Sequence, residues 1–217
     1  LALRFVNALS VNGVQSKEYA ISLGYQGENI TEGQMVADVS GLKKSLESVT
    51  ADRIEKLRNQ WGKKEVVFLF VGQLIIRKGI WELIRAWKAF KNFGEAKSVL
   101  VFAGTGEEDE LLKQYVADHS IGDVVFLGSV DYDKIAELYA TADILVLPTL
   151  EDNWSLVVPE AMSCGLPILT SIYNGCWSDL VFEDKNGWVF DSLDINDICD
   201  CLSRALDKRS KLKEMGA

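Results

Sequence analysis

Residues 65–71, EVVFLFV, decide the fold. The run has the length of a strand, its apolar residues are continuous instead of alternating, and Gly72 closes it. A strand that is apolar on both sides is buried on both sides, which implies a parallel sheet covered by helices. Immediately downstream, Ile80, Leu83, Ile84, Trp87 and Phe90 recur at helical spacing. The alternation then repeats. Residues 98–103 (SVLVFA), 123–127 (DVVFL), 143–147 (DILVL), 166–170 and 187–190 read as further strands. Between them, helices are marked by Leu111, Leu112, Tyr115 and Val116, by Ile135, Leu138 and Tyr139, and by residues 156–164. A last helix from Asp194 carries Ile195, Ile198, Cys199, Leu202 and Leu206 on one face. One helix per strand predicts an α/β domain with a doubly wound parallel sheet, Rossmann-like. Ligands of such sheets lie at the carboxyl ends of the strands, where this chain places Gly72, Gly104 and Gly106.

The first sixty residues break the rhythm. Residues 5–11 read as a strand and 15–23 as a short helix. A looser stretch with four glycines follows over 24–41, then a charged helix over 52–61 with Ile54 and Leu57 facing in. The division expected is therefore 1–40, the tail of a preceding domain and a linker, and 41–217, one ligand-binding domain. The opening LALRFVNALS has no basic leader and reads as the continuation of a longer chain.

Composition narrows the partners. With 217 residues, 48% hydrophobic and 25% charged, the chain supports a packed core. A net charge of −9 repels phosphate backbones, so nucleic acid is not an expected partner. A small phosphate ligand is still compatible, held by backbone N–H groups at a helix start. No apolar run approaches the ~20 residues of a membrane-spanning helix. Cys164, Cys176, Cys199 and Cys201 form no Cys-x-x-Cys pair, and His119 cannot complete a zinc set, so reduced cysteines in a cytoplasmic protein and no metal are expected. Cys199 and Cys201, two apart on a helix, point to different faces. His119 reads as a surface residue, and Trp61, Trp81 and Trp87 as packing residues. Gly104-Thr-Gly106 lacks the third glycine of a dinucleotide fingerprint.

The chemistry concentrates between Pro148 and Pro167, PTLEDNWSLVVPEAMSCGLP. Asp152 falls in a loop after a strand, and Glu160 near the start of the helix that follows. A helix start offers unpaired N–H groups and a positive dipole end for phosphate, while two carboxylates accept hydrogen bonds from hydroxyls. Phosphate plus vicinal hydroxyls describes a nucleotide sugar. The plainer alternative makes Asp152 a helix cap and Glu160 a solvated first-turn acid.

The stretch resembles the family 4 glycosyltransferases of the GT-B fold, whose signature is two acids separated by seven residues and followed by Ala-Met-x-x-Gly-x-Pro. Here these are Asp152, Glu160, Ala161, Met162, Gly165 and Pro167. The resemblance implies that Glu160 binds the nucleotide ribose and Asp152 the donor sugar. It also brings backbone amides around Trp154, Ser155 and Leu156 near sugar and diphosphate. VGQLIIRKG, residues 71–79, is similar to the family's Gly-Arg-Leu…Lys-Gly segment, with Lys78 matching the lysine that neutralises the diphosphate. LGSV, 127–130, resembles the turn against the base, and NGCWSDLV, 174–181, the family's Gly-x-x-Glu-x-Val turn. The similarity covers roughly residues 60–207. Four positions depart from the pattern. Asp152 stands for Glu (with Glu151 adjacent), Ser155 for Gly, Gln73 for a phosphate-contacting Arg that Arg77 replaces, and Asp179 for Glu.

What the resemblance implies is the C-terminal, donor-binding half of a retaining hexosyltransferase in a longer chain. Lys78, Asp152 and Glu160 are the expected catalytic residues. Gly72, Gln73, Arg77, Lys78, Gly128, Val130, Glu151, Asp152, Asn153, Trp154, Ser155, Leu156 and Glu160 are expected to line the donor site, with Trp154 either stacking on sugar or anchoring its loop. The donor is a UDP-, GDP- or ADP-linked sugar and no separate cofactor is expected. The acceptor, a glycan or a lipid, binds through an N-terminal domain, and the fragment alone turns over little or nothing. Attachment would be peripheral, at the inner face of a membrane. Two other readings share the fold: a non-catalytic nucleotide-sugar-binding subunit or sensor, and a GT-B sugar-nucleotide epimerase.

Overall fold

The computed structural model describes residues 2–26, 28–33, 35–92 and 97–216. Six strands form one parallel sheet: β3 (Val66–Val71), β4 (Ser98–Ala103), β5 (Val124–Phe126), β6 (Ile144–Leu147), β7 (Ile168–Ser171) and β8 (Gly187–Phe190). Before them come β1 (Leu9–Ser10) and β2 (Ile30–Thr31), a separate parallel pair. The helices are α1 (Val14–Ser22), α2 (Val39–Glu47), α3 (Ala51–Gln60), α4 (Ile80–Asn92), α5 (Asp109–Asp118), α6 (Ile135–Thr141), α7 (Val157–Ser163), α8 (Trp177–Leu180), α9 (Ile195–Asp207) and α10 (Leu212–Met215).

The strand order is β5-β4-β3-β6-β7-β8. Counted within the sheet this is 3-2-1-4-5-6, the doubly wound Rossmann order, whose direction of winding reverses between β3 and β6. Phe68 sits opposite Ile144 and Leu69 opposite Leu145 at that junction. The continuous apolar runs explain the result: Val66, Phe68, Leu69 and Phe70 on β3 and every residue of β6 and β7 are buried. The edge strand β5 is only half-buried, because one side of it has no neighbour. Phe102 and Phe126 stack with centroids 5.2 Å apart, extending the core toward that edge. Helix α4 packs on α9, while α2 and α3 pack on α6, so each helix layer covers one face of the sheet.

The outlying predictions fared as their sequence context dictates. Trp61 and Trp87 are buried, and Trp81 is half-buried with its indole N–H donated to Glu108. His119 is exposed against the Tyr115 ring. Cys199 reaches the Ala86 carbonyl on α4 and Cys201 the Val189 carbonyl on β8, so they do face different ways. The four cysteines are free.

Two readings of the first sixty residues are corrected. The strand expected over 5–11 is a 3-10 turn, Ala2–Phe5, and the two-residue β1, because only Leu9 and Ser10 find a partner strand and the Phe5 side chain is 87% exposed. The looser stretch over 24–41, of which Gly27 and Gln34 lie outside the described residues, ends inside a helix. Asp38 caps α2 by accepting the Gly41 N–H at 2.9 Å, and Leu42 buries itself against the core. Helix α2 thus straddles residue 41, and it packs on α6 and α7 of the large sheet.

Candidate functional site

The site forms where the winding reverses, from the loops leaving β3 and β6. The β3 loop bends through a 3-10 turn, Ile76–Lys78, to Gly79. Gly79 has φ +67, and a Cβ there would overlap the Pro148 carbonyl oxygen, so only glycine lets the two loops approach. The Arg77 carbonyl accepts the Leu150 N–H at 2.9 Å and the Thr149 hydroxyl at 3.0 Å, tying the loops together. This closeness places the Lys78 ammonium 2.5 Å from Oδ2 of Asp152, with both side chains mostly buried. Oδ1 of Asp152 accepts the Trp154 N–H at 3.2 Å. The Asp152 backbone donates to the Tyr173 carbonyl at 3.2 Å and accepts the Gly175 N–H at 2.7 Å. Asp152 is therefore not a helix cap: α7 is preceded by Leu156 and has no side-chain cap.

Glu160 is the fourth residue of α7 and half-buried. Its Oε2 accepts the Tyr139 hydroxyl at 3.0 Å. Burial raises its pKa above the ordinary 4.5, against the lowering by the nearby tyrosine hydroxyls. Burial and the neighbouring Glu160 charge hold the Tyr139 phenol far above its usual 10, so it remains a donor. Glu160 is accordingly not a solvated first-turn acid. It is a carboxylate held in place with acceptor capacity left over.

The remaining expected residues divide. Gly72 and Gly128 are brought together through Gly104, whose N–H donates to the Gly128 carbonyl at 2.8 Å while the Gly72 N–H donates to Ala103 at 3.0 Å. Val130 is half-buried just beyond, one residue short of the segment that carries Tyr132. Gln73, Glu151 and Asn153 are exposed, and their side chains have no hydrogen bond or ion pair among the described residues. Arg77 is exposed too, and lines a cleft together with Tyr19 and Tyr173. Lys78 takes Asp152 and leaves Glu151 to solvent, so the shorter acid is the one seated in the site.

Trp154 is 9% exposed, with its ring against Gly13 and its indole N–H without a partner. Its burial against the first helix's start is that of a residue holding its loop. Ser155 beside it is buried and Leu156 half-buried. The carboxylate of Asp179 accepts the Val14 N–H at 3.3 Å, which fastens the start of α1 to the same place. Sequence reasoning missed Tyr132, Tyr139, Tyr173 and Gly13 as parts of the site. Tyr139 sat on an apolar helical stripe, where its ring read as core, and nothing local to residue 13 announces a tryptophan 141 positions away. Among the described residues no group of His, Cys, Asp and Glu could hold a metal ion, and no helix is long and apolar enough to cross a membrane.

A doubly wound sheet with a lysine–aspartate pair and a half-buried, tyrosine-bound glutamate at its switch point has its chemistry where α/β domains of this kind bind their ligands. The glycosyl transferases group 1 family matches residues 52–217, and the chain belongs to that family. It is similar to an uncharacterized glycosyltransferase of Methanocaldococcus jannaschii, 36% identical over 131 residues, covering 58% of this chain and 32% of that one. It is also similar to a sulfoquinovosyl transferase of Arabidopsis thaliana, 29% identical over 164 residues, covering 74% and 30%. The chain thus spans about a third of the length of these curated relatives. Among solved structures, HepE of Anabaena in complex with UDP superposes with a TM-score of 0.82 at 22% identity, covering 99% of this chain and 58% of that one. Sucrose-phosphate synthase of Thermosynechococcus elongatus superposes at 0.79 with 22% identity, covering 99% and 52%. The fold is that of the Rossmann-like half of a GT-B glycosyltransferase.

Proposed function

We propose that this chain is the donor-binding half of a retaining glycosyltransferase that takes its sugar from a nucleoside diphosphate. The observation that carries the reading is the pairing of two acids in one site: Glu160 held by Tyr139, and Asp152 held by Lys78. Glu160 accepts the ribose hydroxyls in place of the tyrosine hydrogen bonds it can spare. Lys78 then turns from Asp152 to the diphosphate, which frees Asp152 to accept a sugar hydroxyl. In the transfer, an acceptor hydroxyl oxygen bonds to the anomeric carbon. The bond from that carbon to the phosphate oxygen breaks with its electron pair going to the diphosphate, which also receives the hydroxyl proton. Lys78 and the loop N–H groups stabilise the charge that develops on the leaving group. Attack from the face the diphosphate leaves gives retention.

The β1–α1–β2 segment is, in this reading, the closing unit of a preceding domain that completes the acceptor side. Family membership, the relatives' glycosyltransferase names and the chain's share of their length support it. The test is calorimetric titration with UDP, GDP and ADP and their sugars, in parent and Glu160→Ala. Equal affinity in both would overturn the assignment. Transfer should appear once a preceding domain is restored and be negligible without it.

A further inference from the structure

Three polar side chains close to the Asp152 loop have no access to solvent. Thr170 near the end of β7, Asn174 in the turn after it and Cys176 at the start of α8 are each 0% exposed. Polar groups at that depth persist only with partners, and these three partner one another. The Cys176 thiol donates to Asn174 Oδ1 at 3.1 Å, Asn174 Nδ2 donates to Thr170 Oγ1 at 3.0 Å, and the Thr170 hydroxyl donates to the Leu147 carbonyl at 3.4 Å. The direction is consistent along the chain. Burial pushes the Cys176 thiol up to about 12, so it keeps the proton it donates. The Thr170 oxygen accepts from the amide, which leaves its own proton for the carbonyl.

Both ends of this relay bear on the Asp152 loop. Leu147 is the last residue of β6, from which the loop departs. At the other end, the turn around Asn174 grips Asp152 by its backbone. The Tyr173 carbonyl accepts the Asp152 N–H at 3.2 Å, and the Gly175 N–H donates to the Asp152 carbonyl at 2.7 Å. Asn174 lies between these two residues and forms a single parallel bridge with Asp152. The turn and the loop are also in close contact, since a Cβ on Gly175 would overlap the Asn153 carbonyl oxygen. A displacement of the turn is therefore passed to the loop. None of the relay's hydrogen bonds reaches Glu160, whose carboxylate is held by Tyr139 on α6.

We infer that Thr170, Asn174 and Cys176 are positioning residues for Asp152: their buried relay sets where its carboxylate stands beside Lys78, and so governs one end of the site without the other. The inference rests on the donor reading above for what Asp152 binds, and on the relay itself for where Asp152 stands.

Amide hydrogen exchange on this chain tests it. In the nearly isosteric Thr170→Val, and in Asn174→Ala, the Asp152 and Gly175 amides should exchange about tenfold faster, the effect of one lost hydrogen bond. The Glu160 amide, which donates to Leu156 within the α7 segment, should be unchanged. Thr170→Ser and Cys176→Ser keep a donor and should exchange as the parent does, whereas Cys176→Ala should follow Thr170→Val. In calorimetry, affinity for UDP-glucose relative to UDP should fall about fivefold in Thr170→Val and recover in Thr170→Ser. Parent-like exchange in both Thr170→Val and Asn174→Ala, or equal acceleration at Asp152, Gly175 and Glu160, overturns the inference. Asp152→Asn separates it from the donor reading. If that variant leaves the UDP-glucose to UDP ratio unchanged while exchange at Asp152 responds to the relay, only the sugar contact given to Asp152 falls. If it lowers the ratio and the relay variants do not, only the relay falls.

Discussion

The two ends of the β6–α7 segment are built differently. At the proposed nucleotide end, Glu160 sits inside a short helix, is half-buried and is gripped by a tyrosine from a neighbouring helix. At the proposed sugar end, Asp152 sits in a loop, and apart from the Trp154 N–H its tethers cross to other segments: Lys78, Tyr173 and Gly175. The first is preorganised by secondary structure and the second by long-range contacts, including the Trp154–Gly13 packing that reaches into the first forty residues. A helix-borne group tolerates change around it, whereas a loop-borne group inherits every displacement of its partners.

The sharpest way to break this contrast is Glu160→Ala. Removing a charged acceptor of two ribose hydrogen bonds should weaken UDP about a hundredfold by calorimetry, while leaving the buried Tyr139 hydroxyl without its partner. A loss of less than about threefold would mean that the helix end does not read the ribose. Next in size, Lys78→Met should weaken UDP about tenfold and leave uridine unchanged. Equal losses for both ligands would place Lys78 outside the diphosphate contact.

Smaller still, Gly13→Ala pushes a methyl group into the Trp154 ring and the Asp179 carboxylate. UDP-sugar affinity should fall severalfold while UDP affinity holds within about twofold. A parallel drop in both would show that the two ends are mechanically one. The mildest effect is that of pH. Burial favours protonated Glu160, so between the ordinary carboxylate value and the raised one the folded state holds a proton that the unfolded chain has lost. Stability therefore declines slightly as pH rises through that window, whereas UDP affinity, which needs the ionised acceptor, increases. Glu160→Gln should flatten both profiles, and a UDP affinity that grows as pH falls would contradict the role given to this acid.

The fold was legible because its signal is local and repeated. Strands β3, β4 and β8 begin and end within a residue of the runs read from the sequence, since burial on both faces favours continuous apolar residues. Helix α2 escaped notice although Asp38, Val39, Leu42 and Leu46 carry a cap and a helical stripe, because neighbouring glycines outweighed them. Phe5 misled for the opposite reason: an apolar residue predicts a strand only where a partner strand exists to cover it.

The site followed the same division. Spacing in the sequence singled out Asp152 and Glu160, because a strand-loop-helix unit with two acids restricts where each can fall, and the family resemblance added Lys78. Which partners those acids take was settled only in three dimensions. Tyr139 belongs to the helix before β6, and Gly13 and Asp179 join segments far apart in the chain. The sequence by itself determined the parallel sheet, its winding and the identity of the acids, since these depend on periodicity and near neighbours. The tertiary structure alone decided that Lys78 holds Asp152 and that Trp154 is an anchor, because hydrogen bonds and packing between loops depend on the meeting of residues that no local pattern links.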